Sequence, residues 1–164
     1  MKPGNVLFGR RIRQNHALEH ATITILSGIV PELRVSARSS SNGFLVFGDV
    51  DLTLLRSALD EALVRLQAGE AGLAIHPNCG TNLVVGVSLV AIGTLLGMTA
   101  SHRSTRLASA AAASVAGMMA ARPVGQVVQK YVTTLPDLSG VYVTGMYRRK
   151  FFRYTFIEVC TAQG

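Results

Sequence analysis

From Leu83 to Ala100 the chain runs for 18 residues without a charged side chain. No other feature narrows the fold as much. At about 1.5 Å per residue, a helix of that length nearly spans a hydrocarbon core of about 30 Å. Inside lipid every backbone N–H and C=O must find a partner within the segment, which a lone strand or loop cannot provide. A short polar link, Ser101 to Arg106, leads to a second apolar run, Leu107 to Ala121, which is rich in alanine and ends at Arg122-Pro123. Arg122 can snorkel, so the helix can continue past Pro123 towards Lys130. Two such helices on so short a link make a hairpin, and Gly86, Gly93, Gly97, Ala113 and Gly117 are small enough to let them approach closely. The competing reading is a buried hairpin in a soluble protein. It is weakened by a composition of 49% apolar and only 15% charged residues and by a mean hydropathy of +0.35, because an ordinary soluble domain is about 25% charged.

The flanks read differently. Residues 10–29 have mixed apolar coverage of a helix that Gly28 and Pro31 stop. Leu33 to Arg38 alternates as a strand, Ser39 to Gly43 is turn chemistry, and Gly43 to Gly48 is a second strand, which predicts a hairpin. From Asp51 to Gly69 leucines and alanines recur at three- and four-residue steps, the mark of an amphipathic helix. Ala71 to Ile75 is a short strand candidate, and His76 to Asn82 is a polar turn-forming loop. Gly140 to Cys160 is alternating and aromatic, and reads as two strands, or one long one, returning to the sheet. The expected fold class is therefore α+β: a small mixed helix and strand domain with an inserted transmembrane helical hairpin. Its parts are residues 1–82, the hairpin 83–130, and residues 131–164. The two flanks then lie on one side of the bilayer. The opening residues, with Lys2 followed by Pro3 and Gly4, carry no secretory signal, which favours the cytoplasmic side. Positive charge on the loops barely discriminates, with Arg103 and Arg106 in the link against Arg122 and Lys130 on the other flank.

The net charge is +7, from 16 Lys+Arg and 9 Asp+Glu. Basic residues cluster at Arg10, Arg11 and Arg13 and again at Arg148, Arg149, Lys150 and Arg153. Without a nucleic-acid motif, such clusters beside membrane segments point to the lipid bilayer as partner, not to nucleic acid. The two cysteines, Cys79 and Cys160, are too few for a disulfide scaffold.

The chemistry concentrates in two short segments. His16 and His20 are four residues apart on the first helix, so both imidazoles share a face one turn apart and can chelate one ion. Glu19 lies on the edge of that face. This is the H-x-x-E-H pattern, in which neutral imidazoles hold Zn²⁺ and a nearby carboxylate serves as general base. Taken alone the motif is balanced by a bland alternative, two surface histidines beside an exposed ion pair. His76 and Cys79, at H-x-x-C spacing just before the first apolar helix, tip the reading towards a metal, although a hydrogen-bonded loop with an inert thiol would also use them. The ligand set decides the outcome. With His16, His20 and His76 as ligands the site is open and hydrolytic, whereas Cys79 as a fourth ligand closes it and favours a structural role. Glu70 and Glu158 are alternative carboxylate ligands. Asn78 and Asn82 are candidate contacts to a peptide carbonyl or oxyanion, or caps of the next helix. His102, in the inter-helix link, falls across the membrane from the site and is set aside.

At Asn15-His-Ala-Leu-Glu-His-Ala-Thr-Ile23, Gly43-Phe-Leu-Val-Phe-Gly-Asp49 and His76-Pro-Asn-Cys-Gly-Thr-Asn82 the chain resembles an uncharacterised bacterial membrane-protein family, over roughly residues 8–100. The resemblance implies a membrane location and brings no established activity; the expected location is the bacterial inner membrane. The H-x-x-E-H residues alone are similar to pitrilysin-type zinc peptidases, which are far longer and whose downstream glutamate ligand has no clear counterpart here. The expectation is a membrane-embedded zinc hydrolase, most simply a metallopeptidase acting on a peptide or membrane-protein substrate near the bilayer, with homo-oligomerisation open. The alternative is a non-catalytic membrane protein whose structural metal site serves assembly or interaction. A metal sensor or carrier is a third option.

Overall fold

The computed structural model describes residues 9–100 and 102–164. The opening Lys2-Pro3-Gly4 and the link residue Ser101 lie outside the described residues. The chain divides into two compact units, one made of residues up to His76 together with Lys130–Gly164, the other of Pro77–Gln129.

The first unit opens with α1, Arg10–Ile29, followed by β1, Ser36–Ser40, β2, Gly43–Phe47, and α2, Leu52–Gln67. It ends with β3, Val141–Phe151, and β4, Tyr154–Gln163. The four strands form one antiparallel sheet in the order β1-β2-β4-β3. Strands from the far end of the chain thus complete the sheet begun by the β1–β2 hairpin, giving a mixed fold of α+β type. Asp51 starts α2 by accepting the Thr53 and Leu54 amides at 2.8 and 3.0 Å, satisfying donors that no helical carbonyl can reach. Leu55, Ala58, Leu59, Ala62 and Leu66 of α2 face Leu18, Ala21 and Leu26 of α1 and Phe44, Val46, Ile157 and Val159 of the sheet in one core. Gly43, at φ 139°, is where a Cβ would run into the Val159 carbonyl of the neighbouring strand.

Two local expectations are corrected. The first strand is not Leu33–Arg38 but Ser36–Ser40, because its extent is set by the register Ser36↔Phe47 to Ser40↔Gly43 and not by its own alternation. Ala71–Ile75 is not a strand. Ala71–Ala74 is a 3₁₀ turn. It lacks β-branched residues and pairs with none of the four strands, and a strand without a ladder leaves its amides unbonded.

The second unit is a helical hairpin. In it α3, Gly80–Gly97, packs on α4, Arg106–Val128, which passes through Pro123 and runs on into a π turn, Gln129–Thr133. Both helices are long and apolar enough to cross a membrane, and only 6% of either apolar window is buried. Leu83, Leu95, Leu107 and Met119 are at least 70% exposed. A water-soluble core hairpin would bury these side chains. The helices meet through small residues, and Thr94 and Ser114 share a hydrogen bond of 2.7 Å between them.

Candidate metal centre

Helix α1 is unusual for a core helix in the number of polar side chains it buries: Gln14, Asn15, Glu19, His20 and Thr22. Burying a polar group without a partner costs roughly 1–3 kcal/mol, and here each is satisfied. The Gln14 amide donates to Asp137 O at 2.7 Å and accepts from Gln163. The Asn15 amide donates to Ser40 O at 2.8 Å and accepts the Thr161 hydroxyl at 2.7 Å. These bonds hold one face of α1 against the β1–β2 turn and the C-terminal strand, which orients the adjoining His16 and, about a turn later, His20.

The imidazoles of His16 and His20 have ring centroids 4.2 Å apart, and their ligand-type atoms lie within 4.8 Å. Each donates through Nδ1 to a backbone carbonyl, His16 to Thr133 O at 3.0 Å and His20 to Ala74 O at 2.7 Å. A carbonyl only accepts, so Nδ1 carries the proton and Nε2 carries the lone pair. This is the arrangement in which an outer partner fixes the tautomer of a metal-binding histidine and raises its basicity. The His76 ring centroid is 5.8 Å from that of His20. Burial, with His20 nearby, holds the His76 pKa below its ordinary value, which favours the neutral, ligating form.

Glu19 is 7% exposed and accepts the Ser39 hydroxyl. Burial pushes its pKa up, partly opposed by the Ser39 hydrogen bond and by His16. A carboxyl shifted in this direction suits proton transfer near neutrality better than an exposed one.

Cys79 belongs to the second unit as the N-cap of α3, its sulfur accepting the Thr81 amide at 3.4 Å. It follows His76 by three residues, a length that reaches about 10 Å at most, so the chain tethers a thiol to the third imidazole. Within the first unit His16 and His20 are a pair of donors whose ligand-type atoms could share one metal ion. Asn78 is exposed in the same loop. Asn82 uses both ends of its amide within the hairpin, donating to Pro77 O and accepting from Gln129, each at 2.7 Å. The alternative glutamates are held by arginines, Glu70 by Arg65 at 2.7 Å and Glu158 by Arg149 at 3.0 Å. His102 is exposed in the inter-helix link.

Three contributors escaped the sequence reading. Ser39 looked like a turn residue, and the carbonyls of Ala74 and Thr133 carry no side-chain signal at all. Of these only Ser39 was open to discovery, as a polar residue in a strand that alternation places opposite a helix.

The chain belongs to a family described as a domain of unknown function (DUF6391), whose profile matches residues 11–146. It is similar to an uncharacterised protein of the cyanobacterium Picosynechococcus sp. (strain ATCC 27264 / PCC 7002 / PR-6), with 35% identity over 139 residues, covering 78% of this chain and 68% of the relative. No solved structure matches the chain.

Proposed function

We propose that this protein is a membrane-embedded zinc hydrolase, most simply a metallopeptidase acting close to the bilayer. The observation that carries the reading is the pairing of two Nε2 lone pairs, each set by an Nδ1–carbonyl bond, with a buried carboxyl on the same helix. The donor set suits zinc, which takes imidazole nitrogen and thiolate sulfur in tetrahedral sites. His16 and His20 are the first two ligands, and His76 or Cys79 completes the set. When bound, zinc acidifies water and polarises a carbonyl. Glu19 accepts the water's proton and returns it to the leaving amine, and Ser39 holds the carboxylate in place through the transfer. The α3–α4 hairpin crosses the bacterial inner membrane, and the α+β unit lies on its cytoplasmic face. The length and exposed apolar surface of both helices support the crossing of a membrane.

One observation favours a second reading. Cys79 sits three residues from His76 at the head of a membrane-type helix, and as a fourth ligand it would close the site and make the metal a structural pin for an assembly subunit.

Metal analysis of protein purified without chelators separates the two. The hydrolase reading expects about one zinc per chain, zinc retained but peptide hydrolysis lost in Glu19→Gln, and both lost in His20→Ala. The structural reading expects no hydrolysis in the wild type, and loss of both zinc and fold in Cys79→Ser. Wild-type protein without bound metal would sink both.

A further inference from the structure

Strand β4 pairs with β2 only from Phe156 to Cys160. On the N-terminal side of Phe156 only β3 and β4 remain, as a short two-stranded ribbon of the pairs Lys150↔Thr155 and Phe151↔Tyr154. Its tip displays aromatic rings, with Phe152 84% and Phe151 65% exposed, packed edge to face at 4.7 Å. Phe152 has φ 52°, the one positive φ outside glycine among the described residues. Tight hairpin turns of this kind favour Asn or Gly, and a bulky residue there is strained. The chain therefore accepts backbone strain to present an aromatic side chain to its surroundings, a pattern of functional positions and not of packing.

Beside the ribbon is a cavity of about 350 Å³ whose walls include Asp49, Arg148, Arg153 and Thr155. Arg148 is held there by a 3.3 Å bond to Val50 O. Two guanidiniums against one carboxylate leave the wall net positive. Guanidinium forks match phosphate oxygens, while the carboxylate and hydroxyl suit a hydroxyl-bearing headgroup. Lys150 adds a further positive charge on the ribbon.

We propose that this ribbon docks on an anionic bilayer surface. Arg148 and Arg153 hold a headgroup phosphate, Asp49 accepts a headgroup hydroxyl, and Phe151 and Phe152 sit at the boundary of the acyl region. Aromatic rings beside basic side chains are the chemistry of that boundary. The proposal rests on the membrane reading above, because the ribbon belongs to a chain held at a bilayer by α3 and α4.

The chain contains no tryptophan, so Phe152→Trp makes a single-site reporter in the full-length protein. In vesicles of phosphatidylcholine with phosphatidylglycerol, the indole emission is expected to shift to the blue and to be quenched by lipids brominated on the acyl chain. Each basic side chain near an anionic surface contributes roughly a fivefold factor in occupancy. Arg148→Gln with Arg153→Gln, or omission of phosphatidylglycerol, should therefore restore a water-like emission. Inorganic phosphate in solution should leave the signal unchanged. A water-like emission in every vesicle overturns the proposal. So does a blue shift without bromine quenching, which would mean that a second copy or another protein covers the tip. Binding of soluble phosphate without bromine quenching overturns it as well. Val87→Trp in α3 is the separate control. If its indole also escapes brominated lipid, the membrane reading itself fails; if it is quenched, only the docking fails.

Discussion

Replacing Gly93 by alanine tests whether the α3–α4 hairpin is held by backbone approach. A Cβ at Gly93 would lie 2.6 Å from Ala113 O and 2.9 Å from the Ala113 carbonyl carbon. A carbon–oxygen contact is comfortable at about 3.3 Å, so the helices would have to part by about 0.7 Å. A gap of that size forfeits about a quarter to a half of each neighbouring dispersion contact. It would also stretch the Thr94–Ser114 hydrogen bond from 2.7 Å to about 3.4 Å, past the useful range. Overpacking of this kind costs about 1–3 kcal/mol, and alanine's helix preference over glycine returns about 1 kcal/mol. The expected net loss is about 1 kcal/mol, and more for Gly93→Leu. Gly86 is the internal control, since its added Cβ meets only the Ala121 methyl, at 3.1 Å. That contact can relax by a few tenths of an ångström, so Gly86→Ala should be neutral or slightly stabilising. Thermal unfolding in a non-ionic detergent, followed by circular dichroism, reads both variants. If Gly93→Ala stabilises the protein as much as Gly86→Ala does, the close approach is not what holds the hairpin.

Other consequences follow from the first unit. Asn15→Ala leaves Ser40 O and the Thr161 hydroxyl without their buried partner and should cost about 2 kcal/mol in equilibrium unfolding. Adding Thr161→Val should recover part of that loss, and strict additivity would contradict the shared bond. The Leu54 and Thr53 amides hold the Asp51 carboxylate below its ordinary range. Because the folded pKa lies below the unfolded value of about 3.9, its contribution is present in full above that pH and is lost as the pH falls through the folded pKa. The difference in melting temperature between wild type and Asp51→Ala should therefore narrow below about pH 4; a difference that stays constant through that range would count against the cap.

The elements that were legible are those whose cause is local. Helix α2 announces itself by its leucine spacing and by Asp51, the β1–β2 hairpin by Ser41-Asn42-Gly43, and the membrane-type helices by uncharged length. The pairing of His16 and His20 across one helical turn was equally visible, because a helix fixes the face that residues four apart share. What the chain determines by itself is thus the set of helices, the apolar length of two of them, and a pair of imidazoles with a carboxyl beside them. Tertiary structure alone decided the rest. Strand β1 is bounded by its partner, and the Ala71–Ala74 segment, paired with none of the strands, folds into a turn whose last carbonyl meets His20. The β2–β4 pairing joins residues more than a hundred positions apart, and the carbonyls that choose the histidine tautomers lie 54 and 117 residues away in sequence. A backbone carbonyl is present in every residue, so no pattern of side chains marks the two that matter; only the packed chain brings them to His16 and His20.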